Sequence, residues 1–192
     1  MSESSTPPRG VRNNNPGNIR RSTRAPVWKE EIWPGNDDAF CTFSAPEWGI
    51  RAIVLTLISY HEKDGCQNIA QAIRRWAPPQ ENQTASYVAF VAGRTRIQAY
   101  EAFDTRSWRI MSDLVAAIIA EECADYVYPS AILAKGLMHA GLMPTPPADQ
   151  AAPDIRPAPP VQLPPPDSVT ADDLNRAELE NPGAPLAALK TS

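Results

Sequence analysis

The chain has 192 residues and a formal net charge of −4. That is enough for one ordinary domain plus a tail, and too close to neutral for the broad positive face that nucleic-acid binding requires. Three cysteines, Cys41, Cys66 and Cys123, lack metal-ligand spacing and form no even set, so neither a disulfide framework nor a zinc site is indicated, and no metal or other cofactor is expected.

The first nine residues carry no apolar pattern and are expected to be disordered, leaving 10–143 as the folded domain. Five arginines fall within the first 24 residues against one glutamate, a basic edge suited to an anionic polymer such as a cell wall. RNNNPGNIRR, residues 12–21, cannot sit in a core strand or helix, because Asn, Pro and Gly favour turns and left-handed backbone. It reads as a structured polar loop of the kind that lines sugar-binding clefts. VWKEEIWPGNDDAFCTF, residues 27–43, places aromatic and β-branched residues around a Pro34-Gly35-Asn36 turn and predicts a small irregular β-hairpin.

Helices follow. SAPEWGIRAIVLTLISYHEKDG opens on Ser44-x-x-Glu47, a capping-box pattern, with Pro46 in the first turn; Ile50, Ile53, Val54, Leu57 and Ile58 recur at helical spacing and Gly65 supplies the stop. A second helix is expected from Asn68 to Trp76, ended by Pro78-Pro79, and a third from Asn82 or Thr84 towards Gly93. SWRIMSDLVAAIIAEECADY predicts a long helix capped by Ser107 and buried through Ile110, Met111, Leu114, Val115, Ile118 and Ile119. A last helix fits 130–140, closed by Gly141. The longest apolar windows, 53–58 and 114–119, fall short of a membrane span, and no signal peptide is evident. Synthesis in a cytoplasm is expected.

Twelve of the 21 prolines lie in 144–192, where seven acidic residues outnumber three basic ones and few large apolar side chains occur. This predicts a disordered, polyproline-rich tail, with a short helix in TADDLNRAELE over 170–180. The fold class is therefore mainly α (α+β), a helical domain with one small β-hairpin and a Pro-rich tail.

With two histidines and no phosphate loop or nucleophile elbow, carboxylates are the remaining candidate chemistry. Glu121 and Glu122 end the long helix directly after apolar residues. On a 3.6 period Glu122 starts on the packed side, where apolar walls disfavour the ionised carboxyl and suit a general acid. A solvated Glu pair at a helix end is the competing reading.

GVRNNNPGNIRRS, FCTFSAPEWGIRAIVLTLISY and IRRWAPPQENQTASYVAFVA, in that order over roughly 10–140, resemble a phage and prophage family described as virion structural or lysozyme-like proteins. The order is also similar to bacterial cell-wall glucosaminidases, and AIIAEECADYVYPS is similar to the A-[LI]-I-x-x-E-S-G segment of lytic transglycosylases. Cys123 and Ala124 stand where the phage pattern has Asn-Gly. The resemblance implies a lysozyme-like, circularly permuted domain that cleaves β-1,4 bonds of peptidoglycan glycan strands, as hydrolase or lytic transglycosylase, acting from the virion or in the periplasm and cell wall. It implies Glu122 as the acid, with Glu121 as the alternative and Asp38, among the hairpin carboxylates Glu30, Glu31, Asp37 and Asp38, as the second group. Asn15, Asn18 and Arg20 would bind N-acetyl and lactyl groups, Trp76 and Tyr87 would stack on sugars, and Glu81 and Asn82 would contact substrate; the competing readings are asparagines that satisfy their own loop, a core Trp and Tyr, and Asn82 as an ordinary helix cap. The rival reading is a non-enzymatic virion component that binds glycan or other virion proteins.

Overall fold

The computed structural model describes residues 6–23, 26–80 and 82–144. The expected short helix over 170–180 and the tail from 145 onward lie outside the described residues, as do residues 1–5 and Glu81. Six helices occur among the described residues: α1 (Arg9–Arg12), α2 (Pro46–Glu62), α3 (Ile69–Trp76), α4 (Thr84–Thr95), α5 (Trp108–Glu122) and α6 (Ser130–His139). The domain is mainly helical, as its apolar periodicity requires.

α2 is the central element, and Ile50, Ile53, Val54, Leu57 and Ile58 are all buried along it. α6 covers one side of α2, and α3 and α5 pack on it elsewhere; α4 lies against both α3 and α5. Met111, Leu114, Val115, Ile118 and Ile119 of α5 close the core. No helix among the described residues is long and apolar enough to cross a membrane.

Local signals account for most helix ends. Asn68 caps α3 by accepting from Gln71 N at 3.0 Å, Ser107 caps α5 by accepting from Ile110 N at 3.5 Å, and Gly65 follows α2 with φ of 69°. Two signals read differently in three dimensions. The Ser44–Glu47 capping box does not form: Ala45 is the N-cap of α2 without a side-chain bond, because the Ser44 hydroxyl donates to Glu30 Oε2 at 3.2 Å and Glu47 pairs with Lys135 at 3.9 Å. Asn82 does not cap α4 either; its amide donates to Pro78 O at 3.3 Å, inside the α3–α4 loop.

The expected hairpin over 27–43 is reduced to an excursion whose arms meet at an isolated antiparallel bridge, Glu31 to Phe43. A second bridge, Arg20 to Phe40, ties the returning arm to the Asn-rich loop. With Asp37, Pro34 and Gly35 in its middle, the excursion cannot sustain a longer ladder.

That Asn-rich loop rests directly on α2. A Cβ at Gly49 would lie 2.1 Å from Asn14 O and 2.7 Å from Pro16 Cδ, so the approach of loop to helix requires a residue without a side chain. Gly49→Ala is expected to lower stability by about 1–3 kcal/mol, because the obstacle is backbone and no rotamer relieves it; urea denaturation of the variant against the parent chain measures this.

Candidate functional site

The loop over 13–18 is built around Asn15, which is fully buried. Its amide nitrogen donates to Ile19 O and to Cys41 O, each at 2.9 Å, and its amide oxygen accepts from Ile19 N at 3.0 Å. Asn14 and Asn18 adopt φ of 50° and 44°, the left-handed backbone that Asn tolerates better than most residues. The Asn14 amide donates to Phe43 O at 3.0 Å, and that of Asn13 to Asp37 Oδ2 at 3.0 Å. Three asparagines therefore hold the loop and the excursion together. Asn15, expected as a sugar ligand, is used up in this way, since its polar atoms face main chain in the interior.

Asn18 faces the other way. Its amide nitrogen donates at 3.2 Å to both Glu122 Oε2 and Glu122 O. A flipped amide would set its oxygen against the Glu122 main-chain carbonyl, so that contact fixes the orientation. Trp76 Nε1 donates to Glu122 Oε1 at 3.2 Å and the Tyr87 hydroxyl donates to the same oxygen at 3.0 Å. One carboxyl group, at the end of α5, thus gathers donors from the Asn-rich loop, the end of α3 and the first turn of α4.

This placement brings together four of the expected site residues, Glu122, Asn18, Trp76 and Tyr87. It corrects two of their roles: Trp76 is 2% and Tyr87 3% exposed, so neither ring has a face for a sugar, and each serves through its polar tip. The Tyr87 phenol is held well above its ordinary range, first by burial, then by the charge of and hydrogen bond to Glu122, with Glu121 adding to the same field. It remains a neutral donor across the physiological range. Glu121, half-buried, sits one residue before this group.

The remaining expectations fall elsewhere. Asp38 is exposed on the excursion and pairs with Arg21 at 3.8 Å. Asp37 is bound to Asn13 and to the amides of Ala39 and Phe40. Glu31 accepts from the Val27 and Trp28 amides, and Glu30 accepts from Ser44. These four carboxylates shape the excursion and are not among the partners of Glu122 in the contacts above. Arg20 lays its guanidinium 5.6 Å from the centre of the Phe40 ring. Among the described residues, no cluster of three or more His, Cys, Asp or Glu is arranged for a metal ion.

The loop and α5 are pressed together by contacts that motif reading did not single out. A Cβ at Gly10 would lie 2.7 Å from Cys123 Sγ and 3.1 Å from Asn18 Oδ1, and one at Gly17 would lie 2.7 Å from Ile53 and 3.0 Å from Trp76. Cys123 itself donates to Pro16 O at 3.4 Å. Burial, followed by the neighbouring Glu122 charge, pushes its thiol up to about 12, which makes it a packing residue and a poor nucleophile. The only sequence signal for these contacts was the presence of small residues beside the Asn run.

Directly after Glu122 the helix ends in a Schellman-type turn. Asp125 N donates to Ala120 O at 2.8 Å, and Ala124 occupies the left-handed position with φ of 52°. That position favours Gly, the residue the resembled pattern carries there. Ala124→Gly is expected to raise stability by about 0.5–1 kcal/mol, the relief of left-handed strain less the added freedom of the unfolded chain; a rise in the urea midpoint at unchanged slope reports it. A second expectation concerns alkaline pH. Cys41 and Cys123 are both raised from near 9 to about 12, chiefly by burial, and Tyr60 and Tyr87 are raised from near 10 for the same leading reason. Folded-state values above the unfolded ones mean that this stability is complete below about pH 9 and is lost as pH climbs through the folded values. Unfolding free energy measured from pH 8 to 12 should fall steadily above 9, and a flat profile would contradict the burial of these groups.

No family model matches the chain. Over 129 residues it is 35% identical to Protein P5 of Pseudoalteromonas phage PM2, an alignment that takes in 67% of this chain and 79% of that protein.

Proposed function

The chain belongs to the phage protein family of Protein P5 of Pseudoalteromonas phage PM2, and we propose that it is a wall-degrading enzyme that cleaves the β-1,4 glycan strand of peptidoglycan with Glu122 as general acid. The observation that carries this reading is the convergence of Asn18, Trp76 and Tyr87 on the Glu122 carboxyl group. A general acid has to be held in one orientation, with its proton on one chosen oxygen. Two neutral donors on Oε1 suit the carbonyl oxygen of a protonated carboxyl, which assigns the transferable proton to Oε2, on the side of the Asn-rich loop. The proton passes from Oε2 to the glycosidic oxygen as the bond to the anomeric carbon breaks. The ionised carboxylate that remains is stabilised by the same three donors, so acid and conjugate base are both accommodated without movement.

The second half of the reaction follows from where the other carboxylates are. Asp37, Glu30 and Glu31 make hydrogen bonds within the excursion and Asp38 is exposed there beside Arg21, and a route that needs no second carboxylate is preferred. Intramolecular attack by a hydroxyl of the cleaved sugar needs only one acid that turns base, and Glu122 is supported for both duties. The preferred reaction is therefore transglycosylation, giving an anhydro-sugar end. Such a substrate places the working protein at the cell wall, delivered in the virion or during lysis.

One observation favours the rival reading of a non-enzymatic virion component. Trp76 and Tyr87 are almost wholly buried, and a carboxyl group that ties three other segments to α5 also serves as a purely structural fastening. Zymography on purified cell walls separates the two. The parent chain should release soluble glycan whose new ends are lighter by one water than hydrolysis products, and Glu122→Gln should reduce the release by about 10²- to 10⁴-fold while keeping a cooperative melt. Glu122→Gln at parental turnover sinks the assignment to Glu122, and no release by the parent chain leaves the structural reading.

A further inference from the structure

Two arginines that flank the Asn-rich loop in sequence lie on one aromatic ring. Arg9 sets its guanidinium 4.8 Å and Arg20 sets its own 5.6 Å from the centre of Phe40. Both are anchored to backbone that touches the surroundings of Glu122: Arg9 precedes Gly10, which abuts Cys123 and Asn18, and Arg20 follows Asn18 by two residues. Arg20 Nε is buried and has no hydrogen-bond partner among the described residues. An ionised donor left so is costly, because it has given up water without receiving an acceptor. Arg9 has only a partial counter-charge, Asp37, at 3.8 Å, and Asp37 is already occupied by the Asn13 side chain and two main-chain amides. Arg9 thus has one distant, already occupied counter-charge and Arg20 Nε has no acceptor among the described residues, which leaves a local positive balance next in sequence to the loop that carries Asn18.

The geometry points to a carboxylate-binding subsite formed by Arg9 and Arg20 over Phe40, which takes a carboxylate-bearing substituent of the glycan strand, as on its peptide side chains, in preference to neutral sugar. This rests on the glycan-cleaving reading of Glu122 and adds to it a basis for choosing wall glycan over neutral polymers of N-acetylglucosamine. A guanidinium presents parallel N–H groups that match a planar carboxylate, and the Phe40 ring near both groups supplies an apolar surface where such bonds are stronger than in water. Arg9 was not among the residues expected from motif matching; Arg20 was.

The test uses the full chain carrying Glu122→Gln, so that binding is measured without turnover. Calorimetric titration with a soluble wall fragment, a disaccharide bearing its peptide, is compared with a neutral N-acetylglucosamine oligomer. Adding Arg9→Gln or Arg20→Gln should weaken fragment binding by about ten-fold, with neutral-oligomer binding unchanged, and added salt should weaken the fragment alone. Arg20→Lys should lie between. Arg9 is half exposed, with a side chain 48% accessible, so Arg9→Gln carries the test if replacing Arg20 disturbs folding. Equal losses for both ligands, or no loss for either, overturn the subsite, as does failure of the unaltered arginines to bind the fragment. Arg-dependent fragment binding in a chain that releases nothing from cell walls would uphold the subsite and defeat the catalytic reading.

Discussion

The three hydrogen bonds of the Asn15 side chain are the constraint on which the rest of the structure depends. An amide buried among main-chain groups costs free energy unless each polar atom is paired. Here the pairing also draws Ile19, Cys41 and the intervening turn into one rigid unit. The loop has no helix or strand of its own to hold it, so it borrows rigidity from a side chain that mimics main chain. Once rigid, it docks on α2 at Gly49, admits Cys123 against Gly10, and aims Asn18 at the end of α5. Asn18 and Glu122 are separated by 104 positions and meet only because Asn15 has fixed everything between the loop and the core.

The helices were legible because their apolar residues recur on one face over many turns, and that signal needs no knowledge of the partner surface. Ser107 was legible as a cap, and Asn68 as the start of its helix, for a similar reason: the hydrogen bond each makes is three residues away. Ser44 was misread because its hydroxyl had a competing carboxylate fourteen positions upstream, at Glu30, which a local motif cannot register. The hairpin reading failed in extent for the opposite reason. Its residues suit strands one by one, but the excursion is held by Asn13–Asp37 and by amides capping Glu31 and Asp37, so few ladder bonds are needed.

Of the candidate site, the pairing of Asn18 with Glu122 was legible only through the order of motifs and their resemblance to known families. Composition and periodicity placed Asn18 in a polar loop and Glu122 on the packed side of a helix end without saying that the two coincide. Among the described residues α5 is followed by α6, and the end of α5 that bears Glu122 lies beside the Asn-rich loop. Trp76 and Tyr87 show the limit most plainly. A helical period tells that a ring points inward, and it is silent on whether an indole N–H or a phenol at the far edge of that ring will find a carboxylate. The same aromatic residue reads as a sugar platform or as a buried donor, and only its exposure separates the two.

A carboxyl group placed at the junction of four segments makes site and fold interdependent. Removing a donor does more than subtract one hydrogen bond, because it leaves a partly buried acceptor to be resolvated, and the lost free energy exceeds the net worth of the bond. The donors are neutral, so their hold on Glu122 depends on distance and direction rather than on long-range charge, and small displacements of the loop weaken it directly. The close contacts at Gly10, Gly17 and Gly49 suppress those displacements. The arginine pair on Phe40 is attached to the same loop and to α1, and any ligand that engages it pulls on the segment that carries Asn18. The placement of Arg9 and Arg20 and the aim of Asn18 thus rest on one loop that the Asn15 side chain holds together.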